Sequence, residues 1–320
     1  MRHPLFLALA VSIAFVACSP IPERSSGFVS TADTTKQRNL YVGGAGYVDV
    51  FAPEQTQPQR VLTDKVGYAN SLPFDSHGNL YVFGTRQRSI QIFPPGATKP
   101  VRKITRGIES PLFLATDPDD NLYLSEENQI GTLVYPYGKS RASYKIREFG
   151  FQLLFDSKGY LYLANTGKIY EYPPGATQPS QVLQLDGGYS LTQIALDSND
   201  ALYASVYQNA EIVKFAPRSS TLIGVVAKDA PLPKALFVDL KGHIFCACQG
   251  SVNEYSPSGK LIRKITNGLD GAVALEVDSS DVLYVANITN GTVTEYVPGS
   301  KSVFQTISNV VGVSALAFGP

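Results

Sequence analysis

Four oxygen-bearing side chains, Glu126, Asn165, Glu276 and Asn287, are the residues of this chain best suited to chemistry. Two carboxylates and two amide oxygens make a donor set for a hard cation such as Ca²⁺, which takes oxygen ligands in flexible geometry. The plainer alternative is that they are hydrated rim groups. Arg86 and Arg88 stand two apart in one segment and could clamp an anionic ligand bidentately, or simply be surface charges. Tyr68, Tyr189 and Tyr207, with Tyr47 and Phe151, offer aromatic faces to a sugar ring or a hydrophobic partner, unless they pack their own loops. Acid–base chemistry is poorly served, because the three histidines are His3, His77 and His243, and the last two fall in polar turns. There is no Gly-rich phosphate loop, Ser nucleophile elbow or Cys/His metal spacing. Cys246 and Cys248 point to one face of a predicted strand, where a bond between them would be strained, so they read as two small buried hydrophobes.

These side chains need a scaffold, and internal repetition supplies it. A Leu-Tyr dipeptide or its equivalent recurs at Leu40-Tyr41, Leu80-Tyr81, Leu122-Tyr123, Leu161-Tyr162, Leu202-Tyr203, Ile244-Phe245 and Leu283-Tyr284. The period of about forty residues is that of a propeller blade. Each unit opens with a strand ending in Asp, as in Leu72-Pro73-Phe74-Asp75 or Ile194-Ala195-Leu196-Asp197. A tight polar turn follows, such as Ser76-His77-Gly78-Asn79, where Asp accepts local N–H groups and Gly supplies positive φ. The Leu-Tyr segment is the second strand. The third alternates with period two, as in Ile169-Tyr170-Glu171-Tyr172, and is stopped by runs such as Pro173-Pro174-Gly175-Ala176-Thr177. A short fourth strand completes the unit.

Seven four-stranded antiparallel blades predict an all-β seven-bladed propeller over residues 39–320. The repeat begins at a second strand and finishes with a first strand, Ala315-Leu316-Ala317-Phe318, so the two ends are expected to share one blade and close the ring. Short, regular turns would then lie on one face, and the variable loops carrying the candidate residues on the other. Asn70, Gln152, Gln193, Lys234 and Ser314, near the starts of first strands, are expected beside the central channel. Composition agrees: Tyr 18 and Phe 16 with Trp 0 is a strand-forming aromatic set. Lys+Arg 27 against Asp+Glu 27 argues against a dedicated nucleic-acid binder, which needs a basic stripe.

The run typified by Ala195-Leu196-Asp197-Ser198-Asn199-Asp200-Ala201-Leu202-Tyr203 resembles the NHL-repeat propellers. It is also similar to the blades of streptogramin-lyase and gluconolactonase-type propellers. The absence of Trp does not fit WD-type blades. The lyase resemblance implies His and Glu in the variable loops, and the His is missing. The lactonase resemblance implies carboxylate and amide metal ligands, which Glu126 and Asn165 supply only in outline.

The N-terminus reads as a targeting segment. The apolar run Leu5–Ala17 would make roughly 20 Å of helix, short of a bilayer core of about 30 Å, and so suits a signal peptide spanning residues 1–17. Phe15-Val16-Ala17-Cys18 resembles a bacterial lipobox, which implies lipidation of Cys18, and Ser19 after it implies the outer membrane. Secretion or a free periplasmic location is the alternative. Residues 18–38, rich in Ser and Thr, read as a tether. The expectation is a lipid-anchored envelope propeller that binds an envelope protein, glycan or small molecule without catalysis. A metal-dependent lactonase or lyase-like enzyme, with Ca²⁺ as the candidate ion, is the second reading.

Overall fold

The computed structural model describes residues 38–63, 66–84, 88–127, 131–165, 167–185 and 191–320. The targeting segment, Cys18 and most of the tether lie outside the described residues, as do Arg86 and Tyr189. All regular structure among the described residues is strand, arranged as seven blades in a ring.

Blade 3 shows the plan. Pro111–Thr116, Leu122–Glu126, Gly131–Tyr135 and Tyr144–Ile146 form one antiparallel sheet in sequence order, from the inner first strand to the outer fourth. The second strand is buried along its whole length because both faces of each blade are covered by neighbouring blades. Aromatic rings fill these junctions. The second-strand Tyr of one blade meets an aromatic residue of the next blade's first strand edge-on: Tyr41 on Phe74 at 4.9 Å, Tyr123 on Phe155 at 4.8 Å and Tyr284 on Phe318 at 5.2 Å between centroids.

Blade 2 departs from the plan. Its inner segment, Leu72–Asp75, makes one isolated bridge from Phe74 to Leu80, leaving a regular sheet of three strands. Pro73 has no N–H to give the ladder, although its carbonyl still accepts the Tyr81 N–H at 3.0 Å.

The turn after each first strand is built by one aspartate. Asp75, Asp117, Asp156, Asp197, Asp239 and Asp278 each use Oδ1 to accept the N–H groups two and four residues on. The residue three after that Asp has positive φ in all six turns. It is Gly78, Gly159 and Gly242 in blades 2, 4 and 6, and Asp120, Asp200 and Asp281 in blades 3, 5 and 7. Those three aspartates reach back to the preceding blade, to Ser76, Ser157 and Lys241 respectively. Blades are therefore laced together at the lower face in pairs, a pattern the repeats display but their consensus hides.

A second lacing lies higher on the rim. The Tyr that ends a third strand donates its hydroxyl to the connection leaving the preceding blade. Tyr135 reaches the Arg106 carbonyl at 2.9 Å, Tyr172 the Glu148 carboxylate at 2.7 Å, Tyr255 the Lys228 carbonyl at 3.0 Å and Tyr296 the Asn267 carbonyl at 2.6 Å.

The ring closes as expected. Ala315–Gly319 pairs antiparallel with Asn39–Gly43, Leu40 opposite Phe318 and Val42 opposite Leu316, so blade 1 takes one strand from the C-terminus and three from the N-terminal side. Tyr41 donates to the Pro320 carbonyl at 2.8 Å, tying down the last residue.

Candidate functional site

The upper face carries the hairpins between second and third strands and the loops that lead from each fourth strand to the next first strand. Glu126 ends the second strand of blade 3 and is fully buried. Its two oxygens receive the Glu109 N–H at 3.0 and 3.3 Å. Asn287 holds the same place in blade 7: its Oδ1 accepts the Asp270 N–H at 3.1 Å, and its Nδ2 donates to Thr294 at 3.0 Å. Register makes Glu109 and Asp270 corresponding loop residues, since Glu126 lies opposite Pro111 and Asn287 opposite Ala272. Both side chains thus clamp the loop that enters their own blade by satisfying one of its backbone amides. Burial pushes the Glu126 carboxyl up, while the Glu109 N–H and, more weakly, the Arg88 guanidinium hold it back. Arg88 and Glu126 are therefore two candidates that the fold brings within electrostatic range across the junction of blades 2 and 3.

The four oxygen donors come from three different blades. Asn165 ends the second strand of blade 4, half-buried, beside the blade of Glu126. Asn287 is separated from both by intervening blades. Glu276 pairs with Tyr284 in register, three residues before Asn287 on that strand, so it lies about 10 Å away along the sheet and on the opposite face. That face meets blade 1, where Tyr284 packs on Phe318. Burial holds the Glu276 carboxyl well above the usual range, against the pull of Arg38. Among the described residues no group of three or more His, Cys, Asp and Glu side chains is arranged to hold a metal ion.

Several residues at the starts of first strands stitch the inner belt. Gln152 of blade 4 accepts the Ile194 N–H and donates to the Ile194 carbonyl of blade 5, both at 2.9 Å, as an extra strand residue would. Ser71 of blade 2 accepts the Leu114 N–H of blade 3 at 2.8 Å, and Ser314 donates to the Ala69 carbonyl at 3.0 Å. Gln193 occupies the place of Gln152 one blade on, and its Oε1 is buried without a hydrogen-bond partner.

The aromatic candidates behave differently. Tyr68 and Tyr207 are 55% and 51% exposed, and Val311 is 67% exposed. Tyr68 pairs with Ala45 in an isolated bridge, and Tyr47 donates its hydroxyl to the Val311 carbonyl at 3.1 Å. Tyr68 and Val311 are therefore exposed apolar groups on the upper face, around the top of blade 1, with Tyr47 half-buried beside them and packed against the core. Tyr207 stands apart in blade 5, and Phe151 packs edge-on against Phe149 at 5.6 Å. His77 and His243 lie in the lower turns, where His77 stacks on Tyr137 and His243 contacts Asp239. Cys246 and Cys248 are buried on one face of a strand with their Sγ atoms 2.6 Å apart, and burial pushes the Cys246 thiol up.

One further surface is an open cleft of about 370 Å³ on the outer rim between blades 2 and 3, lined by Arg106, Lys139 and Arg141 with Ser140 and Ser143, none of them a candidate from the sequence. Its signal was the run of Lys and Arg without Asp or Glu in two consecutive fourth-strand arms, invisible to a search confined to the variable loops.

No family model matches this sequence, and no curated relative matches it. Solved structures do: 1362 chains share the likeness, so it identifies an architecture and not a single lineage. One is the crystal structure of a protein from Lactobacillus plantarum, 14% identical, with a TM-score of 0.71, covering 88% of this chain and 99% of that one. At that identity the likeness shows the propeller fold alone.

Proposed function

We propose that this chain is a cell-envelope propeller that binds a partner through its upper face without transforming it. One observation carries this reading. The upper-face side chains best suited to chemistry, Glu126 and Asn287, are spent on clamping loop amides, while aromatic and aliphatic groups on the same face are left bare. Tyr68 presents an aromatic ring with a polar tip beside the aliphatic side chain of Val311, a pairing that suits a sugar ring or the anchor residues of an envelope protein. NHL-type grammar in the repeats supports the same reading, because that blade plan serves as a recognition platform as readily as a catalytic one. Lipidation at Cys18, with the segment to Arg38 as a spacer, would hold the propeller on the outer membrane with the ring clear of the lipid.

Glycan-array binding by the full chain tests the platform. Tyr68→Ala with Val311→Ser is expected to abolish any bound glycan signal, or the cross-linking of an envelope partner, without lowering the melting temperature. Ca²⁺-dependent lactone hydrolysis that disappears in Glu126→Gln would overturn the non-catalytic reading. For the anchor, Cys18→Ser is expected to move the protein from the membrane fraction to the soluble fraction and to end labelling by radioactive palmitate.

A further inference from the structure

The rim cleft between blades 2 and 3 has a different chemistry from the upper face and is independent of the reading above. Residues 99–106 of blade 2 hold four Lys or Arg, residues 136–147 of blade 3 hold four more, and neither stretch contains an Asp or Glu. In a chain whose charges balance at 27 and 27, that concentration is a local field, not a bulk property. The cleft is lined by Arg106 from the blade 2 stretch and by Lys139, Ser140, Arg141 and Ser143 from the blade 3 stretch.

Its walls are fixed by backbone. Tyr135 holds the Arg106 carbonyl at 2.9 Å, pinning the arm of blade 2 against blade 3. Lys139 N–H closes a turn onto the Pro136 carbonyl at 2.9 Å, and Ser143 donates to the Val134 carbonyl through N–H at 2.8 Å and through Oγ at 3.2 Å. The cations are thus rooted at set positions on either side of a gap.

Elsewhere the protein neutralises cations of this kind. Arg218, in the corresponding turn of blade 5, contacts Asp156 at 2.7 Å and Asp200 at 3.0 Å, and Arg263 pairs with Glu254. Among the described residues no carboxylate pairs with Arg106, Lys139 or Arg141. Three like charges around one concavity repel each other, and a bound oxyanion removes that cost. Guanidinium groups present a planar fork to phosphate oxygens, an ammonium adds a compact charge, and the Ser140 hydroxyl adds a neutral donor. The volume exceeds that of a lone phosphate and leaves room for the group it is attached to.

We propose that this cleft binds a phosphate-type oxyanion, carried either by a soluble phosphoester or by a lipid headgroup. Inorganic pyrophosphate, titrated into the full chain at low salt, probes the first source. Flotation with phosphatidylcholine vesicles, with and without phosphatidylglycerol, probes the second. Saturable pyrophosphate binding is expected, weakened roughly ten-fold or more by Arg106→Gln with Arg141→Gln and steeply weakened by added salt. Lys301→Gln, a surface cation in blade 7, is expected to leave it unchanged. Pyrophosphate binding without preferential flotation on phosphatidylglycerol assigns a soluble ligand; flotation that the double variant loses assigns a headgroup. The proposal fails if wild type binds neither probe, if the double variant binds as well as wild type, or if Lys301→Gln weakens binding equally. Should the double variant melt early, Lys139→Gln alone carries the same test.

Discussion

Asp49 and Glu295 sit where the fold strips water from their carboxyls, and burial raises them to about 6 and about 7 from ordinary values of 3.8 and 4.5. Between its ordinary and raised values each carboxyl binds more protons folded than unfolded, so stability falls as pH rises through that window. Melting is therefore expected at a higher temperature near pH 5 than near pH 8, by on the order of 1 kcal/mol per group after allowance for solvent contact. Thermal unfolding at the two pH values checks this, and Glu295→Gln should reduce the difference. An unchanged profile in that variant would remove Glu295 from the account. Glu126 allows a cleaner test of role. Glu126→Gln keeps an acceptor for the Glu109 N–H and is expected to cost little, whereas Glu126→Ala removes the acceptor from a part-buried amide and is expected to cost about 1 kcal/mol in denaturant unfolding. Equal losses in the two variants would mean that the carboxylate charge, not its hydrogen bond, is what the loop requires.

Among the elements, the turns between third and fourth strands carry the most specific packing demand. Gly259 has φ 83°, and a Cβ built there would stand 1.5 Å from the Val226 carbonyl oxygen of the neighbouring blade. Gly175, in the corresponding turn of blade 4, has φ 70° and nothing within 4 Å. Both positions ask for left-handed backbone, at roughly 1–2 kcal/mol for a residue with Cβ. Gly175→Ala should lose only that amount, while Gly259→Ala should lose clearly more because blade 6 must back away from blade 5. Comparing the two melting curves separates strain within a turn from contact between blades. The sequence announces both glycines as turn residues with equal force. It does not say which touches a neighbour, because that depends on the fourth strand of blade 5, Leu222–Ala227, running longer than the three-residue fourth strands of most blades.

At the scale of the whole molecule, closure decides stability. Each blade is covered on both faces only if the ring is complete, and blade 1 is completed by Ala315–Gly319. Deleting residues 314–320 removes the inner strand of that blade, the Tyr41 anchor on Pro320 and the Ser314 link to Ala69. The whole propeller is then expected to melt several degrees lower in one cooperative transition. A truncated protein that unfolds like the full chain would show that the blades stand without the seam. The basic rim of blades 2 and 3 belongs to this scale as well, since the circular order of blades sets the two cationic arms side by side.

By itself the sequence determined the number of blades, their strand order and the closure of the ring. Each of these follows from local turn chemistry and alternation, repeated until no other arrangement buries every strand. It also placed the two histidines in the lower turns correctly, because a residue's position within the repeat dictates which face its turn occupies. Tertiary structure alone decided what the deviant residues do. Glu126 and Asn287 look like ligands when aligned against six counterparts. They are loop clamps because the amides they satisfy, at Glu109 and Asp270, lie seventeen residues earlier in the chain. Glu276 falls away from them because a strand's two faces diverge, and the cleft at Arg106 exists only where one blade's arm is tied to the next. Repetition encodes the scaffold within each unit, but a site is made between units, and no single unit carries that information.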